Sequence, residues 1–270
     1  MIHALNFMIG VLAGLLGGLL GIGGSAAIVP CMVEFLGTDQ HQAHGTSMVA
    51  VVLIGTAGAL TYARHGSVDI TASAIVAVTA LVAAPLGARF ATSLPAWKLK
   101  KSFGLLLVSI AGLLIAKPYL PHLFSPGAAL WIKAPVLLVC GVLTGFIAGM
   151  MGGGAGSITA CVLILFLGFD QHTAQGSALL AMIPAGITGA LAHWRLNNVR
   201  GVTLASLLPG VLVGTFLGGT AAHLLNDTNL RILFTAFLFL LGIRYLSSKA
   251  PASLANDRDL TPGTDRRSSE

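Results

Sequence analysis

Two matching sets of polar side chains, 131 residues apart, are the parts of this chain best suited to chemistry. The triplet Asp39-Gln40-His41 recurs as Asp170-Gln171-His172. Histidine titrates near neutral pH, so these imidazoles are candidates to carry a coupling proton. The aspartates have a plainer explanation as well, because Asp often caps a helix or turns the chain. With their neighbours, the candidate polar residues are Gln40, His41, His44, Gln171, His172 and Gln175.

A glycine cluster precedes each triplet. The first cluster reads GIGGS over 21–25, and the second reads GGGAGS over 152–157. Glycine permits positive φ and costs about 1 kcal/mol in a helix interior, so each cluster predicts a helix break. The hydroxyl residue after each break, Ser25 or Ser157, could cap the helix that follows. The candidate break residues are Gly21, Gly23, Gly24, Gly152, Gly153, Gly154 and Gly156.

The motifs of soluble nucleotide-binding proteins and of metal sites are not met. No Lys-Ser or Lys-Thr follows the glycines, as a P-loop requires, and no strand precedes them, as a dinucleotide-binding fingerprint requires. The three cysteines form no CxxC pair, and no His, Cys or Asp cluster has metal-ligand spacing. The sequence predicts no metal, no cofactor and no enzymatic activity. An intramembrane enzyme using His41 or His172 as acid or base is the alternative.

Composition places the chain in a membrane. Hydrophobic residues make up 55% of it and charged residues 9%, against about 25% charged in soluble domains. The formal charge of +6 is spread over loops, without a basic stripe interleaved with aromatic residues. The expected partner is therefore the lipid bilayer and not nucleic acid. We predict an all-α polytopic membrane protein.

The chain divides into two tandem apolar halves. Residues 10–68 recur at 141–199 without a gap, which predicts a first repeat over 1–116 and a second over 134–246. Residues 117–133 have linker composition, and the polar tail 247–270 is expected to be disordered. Gly10, Gly14 and Gly18, at four-residue spacing, predict close helix packing.

The number of membrane spans stays open between two arrangements. Residues 5–37 would form a helix of about 50 Å, longer than the roughly 30 Å core of a bilayer, so this run has to break. We favour about eight full transmembrane helices plus one Gly-interrupted segment in each half; four crossings per half give parallel repeats. If the short pieces after the breaks also cross, the count is ten and the repeats are inverted.

Broken helices at membrane depth indicate a binding site where the halves meet. Unpaired backbone groups are tolerated in a membrane only where they are buried or line a cavity. Each helix start carries about half a positive charge and free N–H donors, which suits a small anion. Helix starts are expected after both breaks and after both polar loops. The candidate set therefore also contains Gly45, Thr46, Ser47, Gly176 and Ser177.

Ionisable residues at five positions are candidates for proton coupling or for guiding the anion. Glu34 lies in an apolar run about one turn from a predicted helix end, and Asp39 and Asp170 belong to the triplets. Arg64 and Arg195 stand at equivalent span ends, where anchoring at the membrane interface is the alternative role.

Two sequence elements of each half resemble those of a known family. They read GIGGS…HQAHGTS over 21–47 and GGGAGS…HTAQGSA over 152–178. The chain resembles the TauE/SafE family of membrane permeases over nearly its whole length short of the tail. The resemblance implies a secondary transporter of sulfite, a sulfonate or a related sulfur oxyanion in the bacterial cytoplasmic membrane, without an ATPase module. An anion channel is the alternative. The resemblance leaves open which anion is carried, in which direction it is transported and which ion is coupled to it. It also leaves open the oligomeric state, for which a homodimer is one option.

Overall fold

The computed structural model of the chain describes residues 2–91, 96–117, 129–151 and 156–247. These residues form ten helices and contain no strand, in agreement with the predicted all-α class. Seven of the helices are long and apolar enough to cross a membrane, so the protein is a multi-pass membrane protein. The predicted tail after Ser247 and most of the predicted linker lie outside the described residues. The helices are α1 (Ile2–Leu20), α2 (Ser25–Leu36), α3 (Gln40–Arg64), α4 (Ile70–Ala91), α5 (Ala96–Ala116), α6 (Leu130–Met151), α7 (Gly156–Leu165), α8 (Gln171–Arg195), α9 (Gly201–Leu224) and α10 (Asp227–Leu246).

The predicted helix break at the first glycine cluster is confirmed. α1 ends at Leu20, and α2 begins only at Ser25. Gly21, Gly23 and Gly24 have φ angles of +69°, +84° and +68°, in the left-handed region that a Cβ atom disfavours. In the second half α6 and α7 are likewise separate helices. The glycines of that half, Gly152, Gly153 and Gly154, lie outside the described residues.

The polar stretches before α3 and α8 are shorter than predicted, because aspartates start these helices. The Asp39 carboxylate accepts a backbone N–H at 2.9 Å, and the Asp170 carboxylate accepts one at 3.0 Å, so both residues are N-caps. The prediction of helix starts at 45–47 and 176–177 is therefore wrong. Gly45, Thr46, Ser47, Gly176 and Ser177 lie within α3 and α8, more than one turn from the start.

The central helices α3 and α8 pack side by side and run in opposite directions. A Cβ atom on Gly45, near the start of α3, would lie 2.2 Å from the carbonyl oxygen of Asn198, which follows α8. A Cβ atom on Gly176, near the start of α8, would lie 2.1 Å from the carbonyl oxygen of Ser67, which follows α3. The offset of 131 residues relates one contact to the other. Because equivalent helices are antiparallel, we infer that the two halves are inverted copies.

The first helix of each half packs along the fourth helix of the other half. Cβ atoms on Gly10, Gly14 and Gly18 of α1 would lie 2.3, 2.3 and 2.4 Å from successive backbone oxygens of α9. The equivalent glycines of α6 approach the backbone of α4 in the same order. The close packing predicted from the glycine spacing is confirmed, and each of these helix pairs runs parallel.

The short helices α2 and α7 return the chain between longer ones. The hydroxyl of Tyr62, near the end of α3, lies 3.1 Å from the carbonyl oxygen of Gly18, near the end of α1. α1 and α3 therefore run the same way, and α2 has to bring the chain back between them. α2 has 12 residues and α7 has 10, whereas each of the other eight described helices has at least 19. Because α2 returns the chain, the favoured arrangement of eight spans with parallel repeats does not fit, and the alternating directions favour the alternative with inverted repeats. Seven of the ten described helices are long and apolar enough to cross a membrane.

Candidate functional site

The first break and the start of α7 touch each other. A Cβ atom on Gly156, the first residue of α7, would lie 2.7 Å from the carbonyl oxygen of Gly21. A Cβ atom on Gly24, at the start of α2, would lie 2.5 Å from Ile54 and 2.7 Å from the carbonyl oxygen of Ala13. Ala13 and Ile54 stand near the middle of α1 and α3. The two short helices therefore both begin well inside the molecule.

The start of α2 is less open to a ligand than predicted. Gly24, and not Ser25, is the N-cap, and it makes no side-chain hydrogen bond, so the expected capping by Ser25 is wrong. The backbone N–H groups of Ser25, Ala27 and Ile28 already donate to the carbonyls of Gly23 and Gly24. The tight glycine turn itself supplies the acceptors that a serine cap would have supplied. Ser157 is the second residue of α7 and is buried.

Two glutamines one turn apart on α8 present buried amide groups next to the first break. Gln171 and Gln175 are both fully buried. The Gln175 Oε1 atom accepts the Tyr62 hydroxyl at 2.9 Å, and a Cβ atom on Gly21 would lie 2.8 Å from the Gln175 Cβ atom. The Gln175 Nε2 atom and both amide atoms of Gln171 have no hydrogen-bond partner among the described residues. Such unpaired groups cost about 1–3 kcal/mol each, so they mark a place where a polar ligand or water is expected.

A row of three imidazoles leads from the start of α8 to these glutamines. The His172 and His223 ring centroids are 5.2 Å apart, and His65 stacks on His223 at 3.9 Å. The His223 ring lies 4.7 Å from the Tyr62 ring, and Tyr62 binds Gln175. Neither His65 nor His223 was singled out from the sequence. The position of His223 within an apolar span was the available signal, because ionisable residues there are usually functional.

The two ring nitrogens of His172 face two different acceptors. Its Nε2 atom lies 3.1 Å from the carbonyl oxygen of Ala222, which can only accept, so Nε2 carries a hydrogen. The Nδ1 atom then has a free lone pair in the neutral ring. It lies 3.9 Å from the Asp227 carboxylate at the start of α10.

One group of described residues is close enough together to be considered as metal ligands. It consists of Asp170, His172 and Asp227, and one atom from each lies within 4.8 Å of the others. Asp170 caps α8, and Asp227 accepts the backbone N–H of Gln171 at the same helix start. Lys117 stands near both carboxylates: burial and Arg231 lower the pKa of Lys117, whereas Asp227 and Asp170 raise it. We interpret this cluster as a helix cap balanced by nearby cations.

The equivalent residues of the first half lie at the opposite end of the molecule. Because α3 and α8 are antiparallel, their starts are far apart, and so are His41 and His172. The expectation that four helix starts converge on one site is therefore wrong. The first break and the start of α7 come together, whereas the starts of α3 and α8 do not. The side chain of Gln40 lies outside the described residues.

Several other candidate residues have contacts that hold helices together. The Ser177 hydroxyl accepts the backbone N–H of Asp69, and the Thr46 hydroxyl accepts that of Arg200. Glu34 forms an ion pair with Arg244, and both side chains are 56% exposed. Arg64 and Arg195 are exposed at the ends of α3 and α8, at opposite ends of the molecule. None of these contacts joins the buried glutamines.

Known proteins resemble this chain over most of its length. The family model described as Sulfite exporter TauE/SafE matches residues 6–245. A probable membrane transporter protein of Xylella fastidiosa is 31% identical over 231 residues, covering 80% of this chain and 86% of the relative. The probable membrane transporter protein YunE of Bacillus subtilis is 23% identical over 261 residues, covering 88% and 95%. No solved structure matches the chain.

Proposed function

The chain belongs to the TauE/SafE family of membrane transporters, and we propose that it is a secondary transporter of a small sulfur oxyanion, with sulfite as the first candidate. The observation that carries this proposal is a set of buried amide atoms without a partner among the described residues: both amide atoms of Gln171 and, beside the first glycine break, the Nε2 atom of Gln175. A polar ligand is what these groups lack. The family name supplies the class of ligand.

Neutral donors suit an anion that has to leave again. The amide of Gln175 donates through Nε2, and the start of α7 contributes the positive end of a helix dipole. A fixed lysine or arginine beside the anion would bind it more tightly and slow its release. Arg195 stands at the far end of α8, about 30 Å from Gln175 along the helix.

Inverted halves support access to the anion from both sides of the membrane. The first break and the start of α7 meet inside the molecule, and the starts of α3 and α8 lie at opposite ends of it. Beside Gly156, a small enclosed cavity lined by Met48, Thr144 and Met182 has room for about one water molecule. Sulfite is larger, so helices have to move to admit it. Rocking of one half against the other is the usual motion of such folds.

The distribution of basic residues supports one orientation. Lysine and arginine accumulate on cytoplasmic loops and span ends. The end of the molecule where α4 and α8 finish carries Arg89, Lys98, Lys100, Lys101, Arg195, Arg200 and Arg244; the other end carries Arg64, Lys117, Lys133 and Arg231. We assign the first end to the cytoplasm, which places the imidazole row at the outer face.

Purified protein in liposomes should exchange radiolabelled sulfite across the membrane. We expect saturable flux that responds to an imposed pH gradient and is competed by related sulfonates, because a carrier binds its substrate before it moves. Empty liposomes are the control. Flux that rises linearly with concentration would identify a channel instead, and no flux of sulfite, a sulfonate or thiosulfate would contradict the proposed function.

We propose that His172 holds the coupling proton, and His172→Gln tests this. The groups facing its ring are Asp227, Asp170 and His223, and protonation of Nδ1 would bind it to Asp227 across α8 and α10. Glutamine can still donate to Ala222 but does not titrate. We expect the wild-type flux to change about threefold between pH 5.5 and 7.5 and the flux of the variant to be nearly constant, because histidine is the side chain type that changes charge in this range.

His41→Gln is the matched control, since His41 occupies the equivalent position at the opposite end of the molecule. It should keep the wild-type pH profile. A normal profile in His172→Gln, with normal flux, would remove His172 from the coupling step.

A further inference from the structure

A groove between the cytoplasmic ends of α4 and α8 contains two arginines that the proposed transport step does not use. The groove has a volume of about 480 Å³, and its lining includes Pro85, Arg89, Thr188, Leu191, Arg195 and Leu196. Arg89 comes from α4 and Arg195 from α8, so two guanidinium groups from different helices line one concave surface. The rest of the lining is mostly apolar.

This groove is distant from the buried glutamines. Gln175 and Arg195 are 20 residues apart on the same helix, which corresponds to about 30 Å. The groove therefore lies at the other end of α8 and is no part of the proposed anion site. Its exposed apolar side chains, Leu191 and Leu196, are 56% and 55% accessible and stand at a helix end, where lipid headgroups meet acyl chains.

We propose that this groove binds one anionic glycerophospholipid of the cytoplasmic leaflet. Guanidinium groups bind phosphate oxygens in bidentate fashion, and two of them can donate to the free oxygens of one phosphodiester from two sides. The apolar side chains of Pro85 and Leu191 fit an acyl chain. A free oxyanion has no such chain and would leave this apolar surface uncovered. Basic pockets between membrane helices on this side are typical sites of acidic lipids. The lipid would join the ends of α4 and α8.

The two halves provide a matched control for this site. The residue equivalent to Arg195 is Arg64, but the residue equivalent to Arg89 is Thr220. The corresponding surface at the outer face thus has one arginine and a hydroxyl in place of two arginines. Removing Arg64 takes away the same charge without touching the groove.

Thermal unfolding of the detergent-solubilised full chain, with added phosphatidylglycerol or phosphatidylcholine, tests the proposal. Phosphatidylglycerol should raise the Tm of the wild type by several degrees, while phosphatidylcholine should not. The double variant Arg89→Gln/Arg195→Gln should lose most of that rise, Arg195→Gln alone should show about half of it, and Arg64→Gln should keep all of it. The Tm in phosphatidylcholine reports whether each variant is folded.

Three results would overturn the assignment. Equal Tm shifts with both lipids would show that charge is not recognised. If Arg64→Gln and Arg195→Gln lost the same part of the Tm rise produced by phosphatidylglycerol, the rise would come from net charge and not from the groove. A full shift produced by inorganic phosphate at the same concentration would show that a free anion, and not a lipid, occupies it. If the double variant does not fold, the comparison between the two single variants decides.

Discussion

Gln175→Met should lower sulfite flux at least tenfold while leaving the thermal stability of the protein unchanged or slightly higher. Methionine is similar in length and fills the same buried space, but it has no donor for the anion. A hydrogen bond to a charged group contributes about 1.5–3 kcal/mol, which corresponds to roughly a ten- to hundredfold change in binding. Stability should hold because the Gln175 Nε2 atom has no partner among the described residues, and because the Tyr62 hydroxyl, which loses Oε1 as an acceptor, can still donate to the carbonyl oxygen of Gly18 at 3.1 Å.

Tyr62→Phe is the control for Gln175→Met. Tyr62 binds the other amide atom of Gln175, Oε1, and its hydroxyl also reaches the carbonyl oxygen of Gly18. Removing that hydroxyl leaves Oε1 unpaired, so we expect a lower Tm and a smaller loss of flux. Liposome flux and Tm are measured for both variants. If Gln175→Met instead had a lower Tm and a normal sulfite flux, Gln175 would stabilise the fold without taking part in transport.

Gly21→Ala should also reduce flux at least tenfold, and Gly66→Ala should keep more than half of it. Both glycines have nearly the same backbone conformation, with φ of +69° and +70°. Both variants therefore carry the same cost of about 1–2 kcal/mol for a left-handed residue with a Cβ atom. The difference lies in their surroundings: the new Cβ atom at Gly21 would lie 2.8 Å from Gln175, whereas the one at Gly66 has nothing within 4 Å.

The comparison between these two glycine variants separates backbone strain from the site. If Gly21→Ala loses flux only because it unfolds, its Tm falls much further than that of Gly66→Ala. If it loses flux at a Tm similar to that of Gly66→Ala, the displaced Gln175 side chain is the cause. Equal flux in the two variants would contradict a role for the first break in transport.

Local features of the fold were predictable, because they depend on neighbouring residues alone. The apolar composition predicts membrane helices, the glycines at 21–24 predict the first break, and Asp39 and Asp170 were open to a capping role that the structure shows. Two of the errors were local as well. Ser25 was expected to cap α2, and the polar stretches were expected to stay unfolded as far as Gly45 and Gly176.

The order of residues was enough to show that the chain lies in a membrane, where its first long apolar run breaks, and which residues correspond between the halves. The antiparallel packing of α3 and α8, which puts equivalent triplets at opposite ends, became visible only in the folded molecule. The same is true of the contact between Gly21 and Gly156 and of the position of His223 between Tyr62 and His172. The reason is physical: periodicity and propensity act within a few residues, whereas these contacts join residues that lie up to 161 positions apart along the chain and meet only when whole helices pack.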